Sequence, residues 1–153
     1  MKTRTLILLG LLSTGCSSGG GPVDDPESTR QQIFAAHDTM VVALVEGRST
    51  DALRTSEWQG VNLNGTPMTA KGFEGEDRAM QYDSIQVLDR ELRLYGEAAA
   101  LRWHANFYVR VNGRPSFAEM RLLDVYVLRD GRWLHDLMQV TPVFGTVGNP
   151  PGS

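Results

Sequence analysis

The sequence predicts an α+β domain in which N-terminal helices pack on one face of a curved, mainly antiparallel sheet. Three observations carry this expectation. Apolar residues recur at three- and four-residue steps after Ser28, and they alternate at period two from Ala99 to Val111. The tight-turn dipeptides Asn112-Gly113 and Asp130-Gly131 then divide the second half into strand-length runs. Helices followed by hairpin-linked strands is the element order of a layered α+β domain.

The first helix carries Ile33, His37, Met40, Val41 and Leu44 on its apolar stripe, with Arg30, Gln31, Asp38 and Glu46 elsewhere. Ser28-Thr29 offers N-cap oxygens and Gly47 a stop. A second short helix is expected from Thr50 to Ser56, with Asp51 near its start. Residues 57–75 are richer in Gly, Asn, Thr and Pro, and Asn64-Gly65 favours a hairpin turn. Short strands are therefore expected at Trp58 to Val61 and Pro67 to Thr69, followed by an irregular or weakly helical run to Met80. From Tyr82 to Tyr95 the apolar phase slips by one residue, from Ile85 and Val87 to Leu88, Leu92 and Leu94, as in a bulged strand. After a turn at Gly96-Glu97, one face of the next strand holds Leu101, Trp103, Ala105, Phe107, Val109 and Val111. Its other face holds Arg102, His104, Asn106, Tyr108 and Arg110. Ser116 to Arg129 and Arg132 to Val143 complete the sheet.

The chain has 153 residues, 41% of them hydrophobic and 22% charged, which fits one ordinary globular domain. A formal charge of −3 provides no basic field, so nucleic acid is not an expected partner. Met1-Lys2-Thr3-Arg4 is basic and is followed by the apolar run Leu6 to Leu12, the pattern of a signal peptide. The run is far short of the ~20 residues that a membrane-crossing helix needs. Leu12-Ser13-Thr14-Gly15-Cys16 resembles a bacterial lipoprotein lipobox, with Ser13 where that pattern prefers Leu. The resemblance implies cleavage before Cys16 and acylation of its thiol, which gives the only cysteine a role that no internal disulfide could supply. Ser17 after the cysteine implies sorting to the periplasmic face of an outer membrane. The expected organisation is a signal peptide at 1–15, a Gly/Ser/Pro-rich tether at 16–27, the domain at 28–143 and a flexible tail at 144–153.

Within the domain, Tyr95-Gly96-Glu97-Ala98-Ala99, the run Arg121 to Trp133 with its Arg129-Asp130-Gly131-Arg132-Trp133 turn, and Met138-Gln139-Val140-Thr141-Pro142-Val143 resemble the C-terminal half of the SnoaL-like, nuclear-transport-factor-2-like superfamily. The early helix with Gly47 to Asp51 downstream is similar in placement. The resemblance implies a cone-like, strongly curved sheet with the helices on its concave face and a pocket at its open end. Superfamily members use that pocket for isomerase, cyclase or dehydratase chemistry, or for binding alone, so the fold does not fix the function.

The candidate pocket residues are polar or aromatic groups that share faces with apolar ones: His37, Trp58, Arg121, Asp124, His135 and Gln139. His37 lies on the apolar stripe of the helix, either as a general base or ligand donor or as a hydrogen-bonded core histidine. Strict alternation puts His135 and Gln139 on one face with Trp133, Leu137 and Thr141, aimed at the interior. Arg121 shares a face with Leu123, Val125 and Val127, and Asp124 shares the other with Leu122 and Tyr126, so only one of the two points inward. Either could instead serve a structural salt bridge. The three histidines have no metal-ligand spacing, and neither a phosphate-binding Gly loop nor a Gly-x-Ser-x-Gly elbow is present, so no metal or cofactor is expected.

These features lead to a lipid-anchored envelope protein whose domain binds a small hydrophobic molecule or a partner without catalysis. An acid/base isomerase, cyclase or dehydratase acting on a hydrophobic small molecule is the alternative. A structural envelope protein, with the outer sheet face open to pairing with a second copy, is the third.

Overall fold

A computed structural model of the chain describes residues 25–71, 80–145 and 148. The expected signal peptide, Cys16 and nearly all of the tether lie outside the described residues. Helix α1 spans Pro26–Val45 and six strands follow: β1 Arg54–Val61, β2 Pro67–Thr69, β3 Met80–Tyr95, β4 Ala98–Val111, β5 Arg114–Arg129 and β6 Arg132–Pro142. They form one sheet in the order β2-β1-β6-β5-β4-β3. All neighbours are antiparallel except β1 and β6, which run parallel. The expected α+β architecture is present, with α1 laid on the curled sheet.

Helix α1 begins two residues before the expected cap. Pro26 occupies its first turn, where a missing N–H costs nothing, and Asp25 is the N-cap by position without a side-chain hydrogen bond. At the other end Gly47 takes a φ of +64°. Its N–H bonds to the Leu44 carbonyl, and the Arg48 N–H bonds to the Ala43 carbonyl. This paired pattern closes the helix with a left-handed glycine. The second expected helix is reduced to one 3-10 turn at Asp51–Leu53, and Arg54 already belongs to β1. Parallel pairing with β6 captures the backbone of residues 54–61 and overrides the local helical signal.

The buried face of α1, with Ile33, His37, Met40 and Ala43, packs against the inner sheet face. There Leu101, Trp103, Ala105 and Phe107 of β4 meet Met120, Leu122 and Tyr126 of β5. Trp133 is half-buried at the edge of this core rather than inside it. Register slips in β3 at Asp83 and Leu88 and in β6 at Asp136 bend the sheet around α1. The turns Asn112-Gly113 and Asp130-Gly131 place all four residues at positive φ, the geometry of type I′ hairpins. Gly148, in the segment expected to be a flexible tail, exchanges two backbone hydrogen bonds with Phe117 of β5.

Candidate functional site

A cavity of about 360 Å³ lies between α1, the inner faces of β4, β5 and β6, and the loop joining β1 to β2. Its walls are mostly apolar, including Met40, Leu44, Met68, Phe107, Met120 and Met138. Three ionisable side chains from three elements share this setting: His37 of α1, Asp124 of β5 and His135 of β6. All three are buried to within 1% exposure, an unusual position for such groups unless they are paired or functional.

Asp124 is the centre of the arrangement. Its Oδ2 accepts a hydrogen bond from the Trp103 indole at 2.8 Å, and its Oδ1 lies 3.4 Å from His135 Nε2. On the far side of that imidazole, His135 Nδ1 accepts from the Trp58 indole at 3.2 Å. An indole N–H only donates, so Nδ1 bears no proton and the neutral ring carries its hydrogen on Nε2, toward Asp124. Tyr126 stacks on the same imidazole with ring centroids 5.3 Å apart.

His37 packs edge-on against Trp103 at 4.6 Å. Arg90 Nη1, itself bonded to Asp38, lies 3.4 Å from His37 Nδ1. Toward the guanidinium, which only donates, this Nδ1 accepts and leaves the hydrogen on Nε2, whereas Asp38 Oδ1, 3.7 Å from the same Nδ1, favours a hydrogen there. Burial pushes the His37 imidazole below its ordinary range, against the opposing pull of Asp124. Burial likewise holds the Tyr126 hydroxyl well above its ordinary value, with Asp124 acting in the same direction. Among the described residues, His37 Nε2, Asp124 Oδ1, His135 Nε2 and the Tyr126 hydroxyl have no hydrogen-bond partner of normal geometry. Orphaned polar atoms in a dry interior cost on the order of 1–3 kcal/mol each, and three of these residues, His37, Asp124 and His135, line the cavity, where a guest or water can complete their bonding.

The cavity therefore brings together His37, Asp124 and His135, with Trp58 behind His135 as its hydrogen-bond donor rather than in the cavity wall. Arg121 and Gln139 are exposed on the opposite face of the sheet, where they line a groove of about 320 Å³ with Asp89, Glu91, Arg102 and His104. For Gln139 this corrects the expected shared face with His135. Asp136 is an extra residue in β6: Tyr126 pairs with His135 while Val125 pairs with Leu137. The bulge reverses the alternation, so that Met138 and Val140 face the cavity and Gln139 and Thr141 face away. A signal for this was present, since the apolar residues shift from odd to even positions at Met138, as they shift in β3. Arg54 also lines the cavity, with its guanidinium 4.6 Å above the Trp58 ring. It fell within the expected short helix, and nothing in that pattern pointed to an interior cation. Trp103 read only as core, and its indole N–H becomes legible as an Asp124 ligand once β4 and β5 are in register.

Among the described residues, one long helix packed on a curled six-stranded sheet, with the cavity between them, places the fold in the nuclear-transport-factor-2-like (NTF2-like) class. Among solved structures, the chain is similar to an NTF2-like protein from Cytophaga hutchinsonii, with a TM-score of 0.69 and 14% identity over 74% of this chain and 98% of that one. It is also similar to a protein from Novosphingobium aromaticivorans proposed to be a scytalone dehydratase (TM-score 0.68, 12% identity, 83% of this chain and 95% of that one). A protein from the same organism proposed to be an aromatic ring hydroxylase gives a TM-score of 0.70 at 16% identity, over 82% and 96% of the two chains. At these identities the likeness shows the fold alone. Neither a family model nor a curated protein matches the sequence.

Proposed function

We propose that this is a lipid-anchored envelope protein whose domain holds a small, mostly apolar molecule bearing one hydroxyl group. The observation that carries the ligand reading is the cluster of unsatisfied buried atoms in an apolar cavity, His37 Nε2, Asp124 Oδ1 and His135 Nε2. In this reading the two ring nitrogens donate and the carboxylate oxygen accepts, roles that one guest hydroxyl can fill by taking the place of the 3.4 Å approach between His135 and Asp124. A ligand carboxylate would meet Asp124, and an ammonium would meet the two N–H donors and Arg54. A volume of about 360 Å³ suits a compact ligand. The structural neighbours with proposed small-molecule activities support the same use of the fold. The anchor rests on the basic start, the short apolar run and Cys16.

A matched set of rigid probes tests the ligand reading: adamantanol, adamantane carboxylate and adamantyl ammonium, followed by amide chemical-shift changes. Adamantanol is expected to bind on the order of tenfold tighter than either ion, and His37→Ala is expected to abolish that advantage. Equal affinities, or no binding of any probe, would refute it. For the anchor, Cys16→Ala is expected to move the protein out of the membrane fraction, and continued sedimentation with membranes would refute it.

A second reading, acid/base catalysis on a small apolar carbonyl compound in the same cavity, is favoured by the buried carboxylate of Asp124 and the buried imidazole of His37 that line it together. One group accepts a proton while the other stabilises developing charge on oxygen, as isomerase or dehydratase chemistry requires. Exchange of the α-hydrogens of cyclohexanone in heavy water should then be accelerated by the protein and lost in Asp124→Asn. Absence of acceleration leaves binding as the function.

A further inference from the structure

The site contains a side chain that touches no ligand space yet governs the hydrogens that do. We infer that Trp58 is a positioning residue: its indole N–H fixes the tautomer of His135 and so sets the His135 Nε2 hydrogen facing Asp124. This deepens the ligand reading above by specifying the donor pattern of the same cavity, but it stands on protein geometry alone.

The indole of Trp58 is held on both faces. Trp58 is 1% exposed, lies beneath the Arg54 guanidinium at 4.6 Å and covers Gly60. A methyl group at Gly60 would lie 2.7 Å from the tip of the indole, Cη2, and 3.0 Å from Cζ2, so that glycine is what lets the ring settle there. A ring fixed on both sides presents its N–H in one direction, and His135 Nδ1 lies there at 3.2 Å, 77 residues away in sequence. A hydrogen on Nδ1 would set two donors face to face in a buried site and orphan the indole N–H. The groups packed around His135 are Asp124 and Tyr126 from β5 and Arg54 and Trp58 from β1, with His37 of α1 beyond Asp124. Of these, Trp58 is the one the structure bonds to Nδ1. Asp124 also favours a hydrogen on Nε2, so the two influences must be separated experimentally.

Long-range nitrogen–proton correlation of the histidine rings in the full domain, at a pH where imidazole is neutral, reads the tautomer directly. Wild type is expected to hold the Nε2–H form of His135 in excess by on the order of tenfold or more. Asp124→Ala is expected to retain that excess, because Trp58 remains. Adding Trp58→Phe to Asp124→Ala should bring the two tautomers to within a few-fold of a free imidazole, and Gly60→Ala, which displaces the indole while keeping its N–H, should act in the same direction. An Nδ1–H form in wild type, or loss of the preference in Asp124→Ala alone, would overturn the inference. An Nδ1–H form in wild type overturns the inference even if a variant fails to fold, and support for Trp58 comes from the contrast between Asp124→Ala and the double variant. Because no ligand is added, these outcomes are independent of the adamantanol experiment, and either idea can fail without the other.

Discussion

Replacing Trp103 with Phe isolates one bond at the centre of the site. The substitution keeps an aromatic ring against His37 and Phe107, whose centroids lie 4.6 and 5.7 Å from that of Trp103. What disappears is the indole N–H that reaches Asp124 Oδ2 at 2.8 Å. A buried hydrogen bond to a carboxylate is worth about 1.5–3 kcal/mol, and the smaller ring forfeits about 1 kcal/mol more of apolar burial. Water can enter the vacated space from the adjoining cavity and recover part of the bond, which places the expected loss at about 2 kcal/mol. Against a total of about 5–15 kcal/mol this is large and still compatible with folding. Urea unfolding followed by far-ultraviolet circular dichroism, at unchanged m-value, measures it. A double-mutant cycle with Asp124→Ala supplies the decisive term. If the bond is real, the double variant should be at least about 1 kcal/mol more stable than the sum of the single losses predicts. A Trp103→Phe loss below about 0.5 kcal/mol, or a cycle that closes additively, would refute the reasoning.

Two further outcomes follow from the same structure. Because burial lowers the His37 imidazole below its usual 6.5, the unfolded chain binds the extra proton first as pH falls. Stability should be full above that value and decline below it by up to about 1.4 kcal/mol per pH unit; His37→Gln should flatten this decline, and an unchanged slope in urea midpoints between roughly pH 8 and pH 5.5 would contradict it. At Gly47 the space around a new methyl is open but φ is +64°, so Gly47→Ala should cost about 1 kcal/mol through backbone strain alone. A change within a few tenths of a kcal/mol by the same assay would contradict that account.

The parts of this fold that are legible in the sequence are those written in local chemistry. Period-two alternation placed Trp103 and Phe107 inside and Arg102 and Arg110 outside, and β2 lies where the Asn64-Gly65 turn put it. The bulge in β3 was visible as a slip of apolar phase, and the position of Leu88 within it agrees. Long-range pairing was not legible. Nothing in residues 54–61 announces a parallel partner about eighty residues downstream, so a helix was expected where β1 begins. The candidate site divides along the same line. The placement of His37 follows from helical periodicity, and Asp124 shares the buried face of Leu122 and Tyr126. The hydrogen placement on His135 depends on Trp58, and that on His37 on Arg90 together with Asp38, and the approach of Trp58 and Arg90 is set by tertiary structure.

The extra residue in β6 also changes what a comparison of sequences means. Residues 137–142 follow a reading frame offset by one from residues 132–135 with respect to inside and outside. A relative without an insertion at Asp136, aligned position for position, would have its cavity-facing side chains matched to this protein's solvent-facing ones over the last half of the strand. Similarity there would be understated even if the two interiors were chemically alike. The right correspondence is the spatial one, in which a single gap at Asp136 restores Met138 and Val140 to the column of interior residues.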